Sequence, residues 1–153
     1  MEIERKFLVR GEPWVEASSH LRLRQGYLAS GGPVTVRVRV GPEIAWLTVK
    51  GPVQGISREE FEFTIPRADG EAMLALCGDA IVEKTRHHVT VGRHGWEIDV
   101  FEGANAGLVV AEIELEHEDE DFVRPDWLGE EVSLDERFRN SALSKCPYSA
   151  WED

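Results

Sequence analysis

Along much of this chain charged residues stand two apart with mostly apolar residues between them, beginning with Glu2, Glu4 and Lys6 in the opening EIERKFLV. Successive side chains of a β-strand point to opposite faces, so these three share one face while Ile3, Phe7 and Val9 share the other. The rhythm returns as Arg37/Arg39 in VTVRVRV, Arg58/Glu60/Glu62 in SREEFEFTI, Lys84/Arg86 in VEKTRHHV, Glu97/Asp99 in WEIDVF and Glu112/Glu114/Glu116 in VVAEIELE, with Lys50 closing AWLTVK. It predicts eight strands, near residues 2–9, 20–28, 34–41, 44–50, 58–65, 83–91, 96–101 and 109–116. Turn chemistry separates them at SGGP (30–33), GPE (41–43), GPVQG (51–55) and GRHG (92–95), which implies hairpins and an antiparallel sheet. Helices are expected at 12–18, 67–78, 121–128 and 135–146.

A half-exposed sheet also alternates, and one such strand would need no other explanation. Here, however, the polar positions are Arg, Lys and Glu with few Ser, Thr or Gln. They comprise nine acids (Glu2, Glu4, Glu60, Glu62, Glu97, Asp99, Glu112, Glu114, Glu116) and seven bases (Lys6, Arg37, Arg39, Lys50, Arg58, Lys84, Arg86), a balance of −2 within a chain whose net charge is −12. Turned inward around a closed barrel, these faces would form a charged lumen, and the apolar faces would point outward beneath covering helices. The expected fold class is α+β: an eight-stranded antiparallel β-barrel with a charged lumen and flanking helices, in one domain spanning 1–153.

No run reaches the apolar length of a membrane span, and the charged EIERK start does not read as a secretory signal, so a soluble cytoplasmic protein is expected. Cys77 and Cys146 lack zinc-ligand spacing and read as buried thiols in a reducing compartment. The acidic balance argues against a nucleic-acid surface. Arg22 and Arg24 have the opposite parity to Gln25 and Tyr27 and read as surface residues. His88 shares parity with Lys84 and Arg86 and could reach the lumen mouth. The five tryptophans read as core or helix-to-barrel packing, and Arg139 and Asn140 as residues that cap or line one tunnel end.

Charges buried in a lumen are costly unless paired, hydrated or ligated. Arg and Lys suit an anion, and guanidinium groups match phosphate oxygens. The carboxylates would repel that anion unless hard divalent cations with all-oxygen ligands, Mg²⁺ or Mn²⁺, sat between. A narrow lumen of both signs thus reads as a site for a linear polyphosphate with metal ions.

These motifs resemble the CYTH superfamily, the triphosphate tunnel metalloenzymes, over essentially the whole chain. Glu2, Glu4 and Lys6 resemble its ExExK signature. QGYL (25–28), VRVR (36–39), LTVKG (47–51), EFEF (60–63), EKTR (83–86), WEIDVFEG (96–103), EIELE (112–116) and EVSLDERFRNSAL (131–143) follow in the family's order. The resemblance implies an eight-stranded tunnel, divalent-metal dependence and action on triphosphate groups, most like the short bacterial inorganic triphosphatases. Lys6, Arg37, Arg39, Lys50, Arg58, Lys84 and Arg86 are then expected on the phosphate chain, and Glu2, Glu4, Asp99, Glu112 and Glu114, with Glu60 and Glu62, on the metal. Lys84 resembles the family lysine that deprotonates or orients water, a role it shares with pure charge stabilisation as alternatives, and Tyr27 a tyrosine near the reacting end. The enzymatic alternatives are a CYTH-type adenylate cyclase and a thiamine or nucleoside triphosphatase; the non-enzymatic one is a polyphosphate-binding module. A homodimer is compatible with all of them.

Overall fold

A computed structural model describes residues Met1–Trp151. Among them the chain forms ten strands: β1 (Glu2–Val9), β2 (Ser19–Ala29), β3 (Thr35–Val40), β4 (Ala45–Lys50), β5 (Ser57–Arg58), β6 (Glu60–Ile65), β7 (Val82–Val91), β8 (His94–Phe101), β9 (Val109–Glu114) and β10 (Leu128–Glu131). The helices are α1 (Arg67–Ala75) and α2 (Asn140–Lys145), with single 3₁₀ turns at Pro13–Glu16, Gly103–Asn105, Glu136–Phe138 and Tyr148–Ala150. The strands run β10-β1-β9-β8-β7-β2-β3-β4-β6, all antiparallel, and curl into a nearly closed barrel.

The expected strand at 58–65 is in fact two. Ser57 and Arg58 pair with Ile3 and Glu2 of β1, whereas β6 pairs with β4. The break at Glu59, whose carbonyl accepts from the Gly51 amide, steps the chain across the seam of the barrel. Lys50 spans the same seam, 3.1 Å from Glu2 and 3.9 Å from Glu60. The helix expected at 121–128 is absent. Pro125 removes a donor there, Phe122 and Trp127 pack edge-on against Trp96, and the chain continues into β10 on the outer flank of β1. The expected helix at 12–18 is the single 3₁₀ turn at Pro13–Glu16, the one at 67–78 ends at Ala75, ahead of Gly78 with φ +68°, and the one at 135–146 divides into a 3₁₀ turn and α2.

Three apolar clusters surround the lumen. Val38, Val40 and Ala45 lie under Leu74 of α1, which approaches so closely that a Cβ on Gly70 would stand 2.3 Å from that of Ala45. Phe7, Trp96, Ile98, Ala111 and Ile113 lie under Trp14, Phe122 and Trp127. The third cluster sits at an end of the lumen: Val82, Phe101 and Val110, which have the parity of Lys84, Asp99 and Glu112, pack on Val132, Phe138 and Leu143 of the C-terminal segment. That end of the tunnel is thereby plugged with hydrocarbon. Cys77 is half-buried and Cys146 exposed, and both are free thiols, so the expectation that both are buried holds for neither in full. No helix among the described residues is long and apolar enough to cross a membrane.

Candidate active site

Strand register decides which charges meet. Arg86 on β7 stands opposite Asp99 on β8, and Lys6 on β1 opposite Glu112 on β9. Arg86 donates through Nε to Asp99 Oδ1 at 2.8 Å and through Nη2 to Oδ2 at 3.0 Å, while Lys84 Nζ approaches Oδ2 at 2.8 Å. Asp99 is wholly buried. Burial alone would raise its pKa, but the Arg86 and Lys84 charges outweigh burial and hold it far below the usual carboxylate range. For Lys84 burial outweighs the attraction of Asp99 and, with Arg86 adding to it, lowers the pKa to about 8. Arg86 also reaches Glu97 at 3.1 Å and Glu112 at 3.5 Å. Glu112 sits 3.7 Å from Lys6, and despite burial Lys6, Arg86 and Lys84 bring its pKa down to about 2.

Glu4 has the reverse environment. Its Cα partner across β9 is another acid, Glu114, and it forms no salt bridge among the described residues. Burial, then Glu112, raise its pKa well above the usual value. Glu2 is raised by burial and by its hydrogen bond with Glu60, although Lys50 opposes both. Glu114 is raised by burial and by Glu2.

One pocket in the lumen gathers Glu2, Glu4, Lys6, Tyr27, Arg37, Lys50, Arg58, Lys84, Arg86 and Glu112, ten residues singled out by sequence. The remaining five do not line it. Asp99 lies behind the wall, occupied by Arg86 and Lys84. Glu60 is beside Lys50 at the seam. Glu62 bridges Arg37 (3.6 Å) and Arg39 (3.5 Å) and accepts from Thr48. Glu114 is exposed. Arg39 lies toward the other mouth with its guanidinium 5.2 Å from the Trp46 ring centre, its pKa lowered to about 10 by burial and by Arg37. Trp46 therefore stands on the lumen side, opposite Arg39 in register, and is not the outer packing residue expected. Arg22 and Arg24 do face outward, pairing with Glu83, Glu102 and Glu71. His88 reaches Glu97 at 3.6 Å.

Thr35, Ser133 and Ser141, which the sequence reading did not assign, line the pocket together with Arg139 and Asn140, which it expected to cap or line a tunnel end. Thr48, on the same face as Lys50, holds the gap between Arg37 and Glu62. Its parity within AWLTVK was available as a signal; nothing local in EVSLDERFRN marked Ser133, which accepts from the Lys6 amide of the adjacent β1, just past the end of β10. Arg58 donates to the Gly51 carbonyl at 2.7 and 3.0 Å, which fixes its stem at the rim of the pocket.

The donor set fits a hard divalent cation. Glu2, Glu4 and Glu112 line one pocket, their donor atoms are all oxygen, and Glu4 is a half-buried acid with no salt bridge among the described residues, whose burial and Glu112 outweigh the more distant Lys6 and Lys50. Among the described residues no three His, Cys, Asp or Glu side chains stand close enough together to hold a metal ion as they are. The Nε atoms of Arg37 and Arg39 are buried without acceptors among the described residues.

Comparison with known proteins places this geometry. The chain is 42% identical to an inorganic triphosphatase of Acetivibrio thermocellus over 99% of this chain and 98% of that protein. It is 37% identical to an inorganic triphosphatase of Nitrosomonas europaea over 94% of this chain and 96% of the other. A crystal structure of an inorganic triphosphatase matches with a TM-score of 0.69 at 34% identity, covering 94% of each chain. A Pyrococcus furiosus protein shares the fold at 19% identity and a TM-score of 0.61, over 78% of this chain and 81% of its own. The CYTH domain model matches residues 1–150, and with it the ExExK opening, the barrel and the two-signed lumen have one explanation: the chain belongs to the CYTH domain family.

Proposed function

We propose that this protein is a divalent-metal-dependent inorganic triphosphatase, which hydrolyses triphosphate to pyrophosphate and phosphate inside the barrel. The observation that carries the reading is the pocket in which Lys6, Arg37, Lys50, Lys84 and Arg86 converge with Glu2, Glu4 and Glu112, together with relatives that bear this name over nearly their full length. The cations bind the nonbridging oxygens and neutralise charge as the transferred phosphoryl group separates, the main demand of phosphoryl transfer. Arg37 and Arg39 contribute the donors that are left unpaired in the protein, and Arg58 and Tyr27 stand at the pocket wall to orient the chain end.

Mg²⁺ or Mn²⁺ bound by Glu2, Glu4 and Glu112, with Glu114 and Glu60 nearby, would supply charge neutralisation and an acidified water. Glu62 and Asp99 act from behind, holding arginines in place. Lys84 Nζ, brought to about 8 by burial, accepts the proton of the attacking water while the bond from the terminal phosphorus to its bridging oxygen breaks and pyrophosphate leaves.

The same reading makes the whole chain one tunnel domain, working in the cytoplasm on a free small molecule with no nucleic acid or membrane. Exposed Phe61 and Phe63 on β6 are the face that a second copy would cover in a homodimer, which sedimentation would detect. The deciding experiment resolves phosphate, pyrophosphate and cyclic AMP from triphosphate and from ATP, with Mg²⁺, with Mn²⁺ and with chelator. Metal-dependent phosphate release from triphosphate with little action on ATP is expected. Cyclic AMP from ATP would make it a cyclase, preferential phosphate release from ATP or thiamine triphosphate would make it a triphosphatase of those esters, and binding without product would make it a polyphosphate-binding module.

A further inference from the structure

Asn140 enters the pocket from outside the strands, at the start of α2, and is 9% exposed. Its side-chain oxygen accepts from Gln25 Nε2 at 2.9 Å and from Lys84 Nζ at 3.1 Å. An ammonium group has donors only, so the amide atom facing Lys84 has to be the oxygen. That settles the orientation of the amide. The Nδ2 atom, with two N–H donors, is left on the other side and has no acceptor among the described residues. Asp99 and Asn140 take two of the Lys84 N–H donors, so the remaining Nζ position, a proton on the ammonium or the lone pair of the deprotonated base, lies beside the Asn140 amide.

We propose that Asn140 is a substrate-binding residue: Nδ2 donates to a phosphate oxygen beside Lys84, while Oδ1 holds the Lys84 ammonium in place. This rests on the pocket being a triphosphate site. A neutral amide is the side chain that meets both demands. A carboxylate would accept from Lys84 and Gln25 equally well, but would turn a negative oxygen toward the phosphate.

The test compares Asn140→Asp and Asn140→Ala with the parent protein. Triphosphate binding is measured by calorimetry in chelator, turnover with Mg²⁺, and folding by circular dichroism. Asn140→Ala should weaken binding about tenfold and lower kcat/KM about a hundredfold, the loss typical of one oriented donor. Asn140→Asp, although isosteric, should bind triphosphate about tenfold more weakly still, through repulsion of the phosphate. A residue that merely anchors the lysine gives the opposite order, since aspartate keeps the acceptor and leaves Lys84 more firmly charged. Asn140→Asp binding as tightly as the parent, or more tightly than Asn140→Ala, would overturn the proposal, as would an Asn140→Asp chain that does not fold. If the parent protein itself neither binds nor cleaves triphosphate, the reading of the pocket fails first and is recognised separately.

Discussion

The lumen wall made by β7 and β8 and the wall made by β1 and β9 are built from the same residue types and reach opposite electrostatic ends. On the first, register sets Arg86 against Asp99, adds Lys84, and closes a buried network in which each Asp99 oxygen is bonded. On the second, register sets Glu4 against Glu114, and Glu4 has no basic partner in contact. The first wall resembles a structural core made of ions. The second also sets Lys6 against Glu112, but its Glu4–Glu114 pair is acid facing acid, held in place by the rest of the barrel, and a bound cation would relieve it. Whether a lumen carboxylate is bonded or left without a base is thus decided by what its strand is paired with rather than by composition.

The sharpest way to break the contrast is to unpair the satisfied wall. Asp99→Ala strands Arg86 and Lys84 in a buried place, and should cost about 3–5 kcal/mol in urea unfolding. A loss below about 1 kcal/mol would show that water or other acids replace Asp99 easily. The complementary change, Glu4→Gln, removes charge from the unsatisfied wall. It should lower metal-dependent turnover by at least about a hundredfold while leaving the metal-free protein as stable as before or up to about 1 kcal/mol more so. Destabilisation would place Glu4 with the scaffold.

Acid titration separates the paired acids from Glu4 in a single protein. Asp99 and Glu112 have folded pKa values below their unfolded ones, so they stabilise the fold fully above about pH 4.5 and lose that contribution as pH falls toward about 2 for Glu112 and lower still for Asp99. Glu4 is shifted the other way. Between its raised folded pKa and 4.5 the folded state binds more protons, so metal-free stability should rise slightly as pH falls through that range before the collapse below it. Melting curves of the metal-free protein from pH 7 to 2 should show this shallow maximum, and Glu4→Gln should abolish it. The smallest effect concerns Lys84: kcat/KM should climb with pH through about 8 and then level, since a base has to be deprotonated. A profile flat from pH 7 to 9.5 would make the lysine a fixed positive charge instead.

Much of the barrel was legible because alternation is a local property: each strand from β1 to β4 and from β6 to β9 carries its own face assignment in its own residues. Nine of the residues singled out by charge meet in one pocket for the same reason. The errors have a common cause. At 121–128 the spacing of apolar residues imitated a helix, but Phe122 and Trp127 are drawn to Trp96, far away in sequence. Arg58, Glu60 and Glu62 looked like one strand, yet the seam of the barrel falls between them.

What the sequence determined by itself is the existence of an ionic face and an apolar face on each strand, and hence a charged lumen. The resemblance in the order of its motifs added the family. Only the tertiary structure decided how those charges divide: which acid faces a base and which faces another acid, that Asp99 is bonded by two bases while Glu4 has none in contact, that Leu143 and Phe138 plug one end, and that Asn140 reaches Lys84 across 56 positions of sequence. Those outcomes depend on strand register and barrel closure, and the interaction between two charges is set by their distance and burial in space, which no single strand encodes.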